Sequence, residues 1–137
     1  MDILSREDIL EQLKNTAIKY ELVIFSLFGS RAKREFNKTS DYDFAFLPPK
    51  DFTNNDEENL FNDLMKILED ENIDLINISK NFDVKLRYDI FHKGVVIYEI
   101  RKSLFNELKH KSWIDYMDFK KFSNRRLDII KKDMEKI

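Results

Sequence analysis

Cysteine is absent from the 137 residues, and the chain has only two glycines, two prolines and two histidines. Without cysteine, neither a disulfide framework nor a thiolate metal site can be built, and nothing ties the fold to an oxidising compartment. His92 and His110 have no partner at metal-ligand spacing, so neither is assigned a catalytic role. No apolar run is long enough to span a bilayer. Met1 to Lys14 alternates charged and apolar residues, whereas a secretory signal needs an uninterrupted apolar stretch, so a soluble, cytoplasmic protein is expected. Charge of one sign is lacking too. Basic residues number 24 and acidic residues 26, and the formal charge of -2 gives no field that would hold the chain on nucleic acid or anionic lipid. What the sequence does have is apolar material, 42% hydrophobic residues including 12 Phe, enough for one domain around one core.

Periodicity divides the chain into alternating helices and strands. Ser5-Arg6-Glu7-Asp8 resembles a capping box, and Ile9, Leu10, Leu13, Ala17 and Ile18 follow at helical spacing to about Lys19. Leu22 to Phe28 is a nearly unbroken apolar run with the composition of a buried strand, ended by Gly29-Ser30. Tyr42 to Leu47 reads as a second strand stopped by Pro48-Pro49. Thr53 or Asn55 caps a helix over about Asp56 to Asp70, with Leu60, Phe61, Leu64, Ile67 and Leu68 on its apolar face. Ile73 to Ile78 is a third strand. Phe82, Leu86 and Ile90 suggest a short helix, and Val95 to Tyr98 an edge strand. From Ser103 onward no Gly or Pro interrupts one long helix, or two with a break near Trp113. The class is mixed α/β (α+β), with three or four strands in residues 1–100 and a helical extension over 101–137.

Asp41 and Asp43 stand two apart on the second predicted strand, so their carboxylates leave one face while Tyr42 leaves the other. Held together, two like charges raise each other's pKa unless a cation lies between them, and all-oxygen ligation of this kind suits Mg²⁺. The strand before them stops at Gly29-Ser30. There a glycine lets a phosphate approach the backbone, a helix start offers free N–H groups, and Ser30 adds a hydroxyl. Arg31, Lys33, Arg34 and Lys38 lie between turn and carboxylates, and of these Arg31 and Lys33 are nearest a phosphate bound at the turn. Each residue also has a plainer reading. The aspartates could be solvated strand ends, Gly29 a turn glycine, Ser30 a helix cap, and the cations surface charges.

Gly29-Ser30, ten intervening residues and Asp41-Tyr42-Asp43 resemble the signature of the polymerase-β-type nucleotidyltransferases. That resemblance implies a third carboxylate from a later strand, and Asp74 in Ile73-Asp74-Leu75-Ile76 is the similar position. It further implies Mg²⁺ held by Asp41, Asp43 and Asp74, with Asp74 as general base and ATP as substrate. The short chain, the Gly-Val-Val-Ile-Tyr strand and the helical tail are similar to the minimal nucleotidyltransferases. Among these are the antitoxins paired with HEPN ribonuclease toxins, which transfer AMP to a toxin tyrosine. The partner implied is a HEPN toxin, contacted partly through the C-terminal helix, where Trp113, Tyr116, Phe119 and Phe122 cluster. Two rival readings stay open, transfer to a small molecule and neutralisation of a toxin by contact alone. Members of the family commonly carry a second glycine in an Ala-Arg-Gly run, where this chain has Ala32-Lys33-Arg34.

Overall fold

A computed structural model describes residues 1–135. In chain order the elements are α1 (Glu7–Lys19), β1 (Ile24–Phe28), α2 (Gly29–Ala32), β2 (Tyr42–Leu47), α3 (Asn54–Leu68), β3 (Ile73–Asn77), α4 (Val84–Lys93), β4 (Val95–Glu99) and α5 (Leu104–Glu135). One sheet has the order β3-β2-β1-β4. β1 runs antiparallel to both β2 and β4, while β2 and β3 are parallel. A parallel pair needs a crossover between its strands, and α3 supplies it.

The unbroken apolar run of β1 is explained by its place in the sheet. All five of its residues are buried, because helices cover both faces. On one face Phe25, Tyr42, Phe44 and Phe46 pack with Leu13, Leu60 and Leu64 of α1 and α3. On the other, Ile24, Phe28 and Ala45 meet Ile90, Phe91 and Phe105 of α4 and α5. Stacking of Phe25 on Phe44, with ring centroids 5.1 Å apart, ties the two central strands together. β2 is therefore clamped from both sides, and its first residues are held in fixed register between β1 and β3.

Thr53 caps α3. Its hydroxyl accepts from the Asp56 N–H at 3.1 Å, and the Asp56 carboxylate accepts from the Thr53 N–H at 2.9 Å. Thr53→Ala is expected to lower stability by about 1 kcal/mol, read as a reduced urea midpoint at unchanged slope. The capping box expected at Ser5 does not form. Asp2 caps a 3-10 turn at Ile3–Ser5, and the Ser5 hydroxyl donates to the Asp2 carbonyl at 2.9 Å. Ser5 is thus the last residue of that turn, and Arg6 takes the N-cap position of α1 without a side-chain bond.

Phe82 lies outside α4 and is 83% exposed, so it does not share the helix's apolar face as its spacing suggested. The tail is one continuous helix with no break near Trp113, since nothing in its sequence interrupts the backbone ladder. Phe105 and Ser112 of α5 are buried, and Tyr116 stacks on Tyr88 of α4. The same face continues through Phe119, Ile130 and Met134, all of them exposed. Among the described residues, no helix is long and apolar enough to cross a membrane.

Candidate active site

Antiparallel pairing of β1 with β2 brings the end of the first strand to the start of the second. Phe28 faces Asp43 across the ladder, so the next residue, Gly29, is packed against the Asp43 side chain. Gly29 has φ +74, which a residue with a Cβ adopts only with strain. A Cβ there would lie 3.0 Å from Asp43 Cγ and closer still to Oδ2. The glycine thus has two reasons to be glycine, one in the backbone and one in the carboxylate beside it.

Parallel pairing brings in the third acidic residue. Asp43 and Asp74 are register partners, so their side chains leave the same face of the sheet next to each other. Asp41, two residues earlier, precedes the strand and is exposed. Among the described residues none of the three carboxylates has an ion-pair or hydrogen-bonding partner. Asp43 shows the result. Burial, then the Asp74 charge, then the Asp41 charge push its pKa from the ordinary 3.8 up to about 6. Removing the carboxylate from water and surrounding it with like charge both oppose ionisation.

No three acidic or histidine side chains among the described residues close into a ready-made metal cage. The donor set fits Mg²⁺ in another way. That ion is usually held by one or two carboxylates, with waters and substrate phosphates completing its shell, and a crowded, unpaired carboxylate beside an open glycine turn provides for such shared ligation.

The profile described as "Polymerase beta, Nucleotidyltransferase" matches residues 11–103. The chain belongs to this nucleotidyltransferase family. No curated protein sequence matches it. Among solved structures it is similar to a chain of a toxin-antitoxin complex with AMP-PNP, at TM-score 0.72 and 17% identity, covering 88% of this chain and 97% of the other. A chain from the MntA-HepT toxin-antitoxin structure has TM-score 0.68 and 16% identity, over 91% of this chain and 98% of the other. The structure of the tri-AMPylated HEPN toxin of Shewanella oneidensis in complex with MNT antitoxin gives TM-score 0.65 and 19% identity, covering 95% and 98%.

Within this nucleotidyltransferase the structure brings Gly29, Asp43 and Asp74 together, with Ser30 following Gly29 in the single turn of α2. The first N–H groups of that turn have no intrahelical acceptor. The Ser30 side chain is half-buried and has no hydrogen-bond partner among the described residues. Lys33 follows α2 as its C-cap and is exposed, free to reach an anion there. Arg31 corrects the sequence reading. Its side chain is buried, with the guanidinium 3.9 Å from the Tyr42 ring centroid, and Tyr42 points away from the carboxylates. Its donors are taken by the Ser40 and Met1 carbonyls, so it is not available to a phosphate. Charge and proximity to the turn could not distinguish a buried cation from an exposed one. The signal was the nearby Phe36 and Tyr42, whose rings sandwich it.

The departure at Arg34 also has a structural meaning. Arg34 has φ 58, the left-handed conformation that glycine adopts without strain, and it stands where family members commonly carry glycine. Its ion pair with Asp2, at 3.4 Å on the surface, contributes little. Arg34→Gly is expected to raise stability by about 0.5–1 kcal/mol, seen as a higher urea midpoint.

Proposed function

We propose that this nucleotidyltransferase moves AMP from ATP to a hydroxyl, that of a tyrosine, on a HEPN-type toxin and thereby silences it in the cytoplasm. The observation that carries the reading is the meeting of Gly29, Asp43 and Asp74 at one end of the sheet. Residues 1–100 carry the transferase. The extension over 101–137 holds the partner, partly through the exposed apolar residues of α5 that continue its packed face.

In this reaction the N–H groups and hydroxyl at Gly29-Ser30, together with Lys33, hold the triphosphate over the turn. Mg²⁺ held by Asp41, Asp43 and Asp74 would supply charge neutralisation of the phosphates. Asp74 draws the proton from the acceptor hydroxyl. The acceptor oxygen bonds to the α-phosphorus in line as the bond to the pyrophosphate oxygen breaks, and pyrophosphate leaves. A chain in each of the toxin-antitoxin structures, one with AMP-PNP and one with a tri-AMPylated HEPN toxin, has a fold similar to this one, which supports ATP as the nucleotide and a HEPN protein as the acceptor.

Incubation with ATP labelled at the α-phosphate, Mg²⁺ and a candidate HEPN protein tests the reading. Label on a tyrosine of the partner is the expected result. Inhibition of the toxin without label would replace transfer by contact alone, and label on a small hydroxyl compound would move the acceptor class.

A further inference from the structure

We infer that Arg31 is a positioning residue that sets the place of Asp41 in the metal site, an inference that rests on the transferase reading above. Asp41 lies just before β2, whose register pairs begin at Tyr42, so the sheet itself does not hold it. Its preceding residue is part of a small turn closed on itself. There Asn37 and Ser40 exchange bonds, the Asn37 N–H donating to the Ser40 hydroxyl at 3.0 Å and the Ser40 N–H to the Asn37 carbonyl at 3.2 Å. Such a turn needs an anchor to the body of the domain.

Arg31 is that anchor. Nε and Nη2 both donate to the Ser40 carbonyl, at 3.3 and 3.0 Å, and Nη1 donates to the Met1 carbonyl at 2.9 Å. The guanidinium plane is gripped by the Tyr42 and Phe36 rings, with centroids 3.9 and 4.4 Å away. It is buried to 2% relative exposure and has no carboxylate partner among the described residues. A buried cation without a counter-ion is disfavoured unless it is well hydrogen-bonded, and here each of the three nitrogens donates to a backbone carbonyl, two of them to the peptide that carries Asp41. Arg31 also sits two residues after Gly29, so one side chain couples the phosphate turn to the first carboxylate. A lysine has the charge but not the planar fork that can hold one carbonyl with two donors and lie between two rings.

The test is Arg31→Lys, compared with wild type and with Thr53→Ala, a variant weakened at a cap remote from Arg31. Mg²⁺ is titrated in the presence of AMP-PNP and the rise in melting temperature is followed, a readout that needs no turnover. Arg31→Lys is expected to raise the Mg²⁺ concentration at half-maximal shift by about tenfold or more, while Thr53→Ala leaves that midpoint unchanged. If Arg31→Lys does not fold, Phe36→Leu removes one side of the grip and is expected to move the midpoint in the same direction by a smaller factor. A midpoint for these variants within about twofold of wild type would make Arg31 a structural residue only. A wild-type chain with no Mg²⁺-dependent shift would instead remove the transferase reading, and this inference with it.

Discussion

Asp43→Asn is expected to reduce nucleotidyl transfer by on the order of 10³-fold, comparable to losing a principal electrostatic stabiliser of the transition state. The amide keeps the shape of the side chain beside Gly29 and Asp74 but cannot offer the charge that a divalent ion requires. The same substitution should make the metal-free protein more stable at neutral pH. Asp43 titrates at about 6 in the folded chain against an ordinary 3.8. Between those values the folded state holds a proton that the unfolded state has released. The stability linked to this group is therefore complete below about pH 4 and is lost as pH rises through about 6. After discounting for solvent screening, the loss is on the order of 1 kcal/mol. The amide of the Asp43→Asn variant has no proton to lose, so across this window its melting temperature should fall less, or rise more, than that of wild type. Wild-type transfer rates in Asp43→Asn would place the essential charge elsewhere, and parallel pH curves for the two proteins would mean that Asp43 is not the group protonated on folding.

Gly29→Ala is the second large effect, and it acts on backbone and site together. The left-handed conformation costs a residue with a Cβ about 1–2 kcal/mol. Beyond that strain, the new methyl would meet the Asp43 carboxylate and either displace it or open the turn. A displacement of about 1 Å at a reacting centre is worth roughly 10² in rate, so transfer should fall by about that factor as stability drops by about 2 kcal/mol or more. Urea denaturation and the labelled-ATP assay on one preparation measure both. Unimpaired transfer in this variant would mean that the turn and the carboxylate are not packed as described. The contrast with Arg34, which holds a similar backbone angle in the open, separates the cost of conformation from the cost of contact.

The centre of the molecule was legible in the sequence because strong local signals agreed there. Tyr42 to Leu47 is bounded by an Asp-x-Asp start and a Pro-Pro stop, and both ends were read correctly. The place of Asp74 beside Asp43 came from resemblance, and parallel register supplies its physical reason. Periodicity said little about the fringes. Ser5 looked like a cap, but its hydroxyl is spent on the carbonyl of Asp2, three residues earlier. Phe82 kept a helical spacing without being in the helix. Arg31 was read as a phosphate contact because charge and nearness to the turn are visible in a sequence and burial is not. Its position between Phe36 and Tyr42 became apparent only when the loop was closed in space.

The connectivity around the site also orders its assembly. Gly29, Asp41 and Asp43 lie close together along the chain and are joined by an antiparallel pair, whereas Asp74 arrives only after α3 has crossed over and β3 has docked in parallel. Contacts between residues distant in sequence form slowly. A nascent chain that has emerged as far as α3 therefore holds two of the three acids, and the meeting of all three would report that the parallel β2-β3 pair has formed.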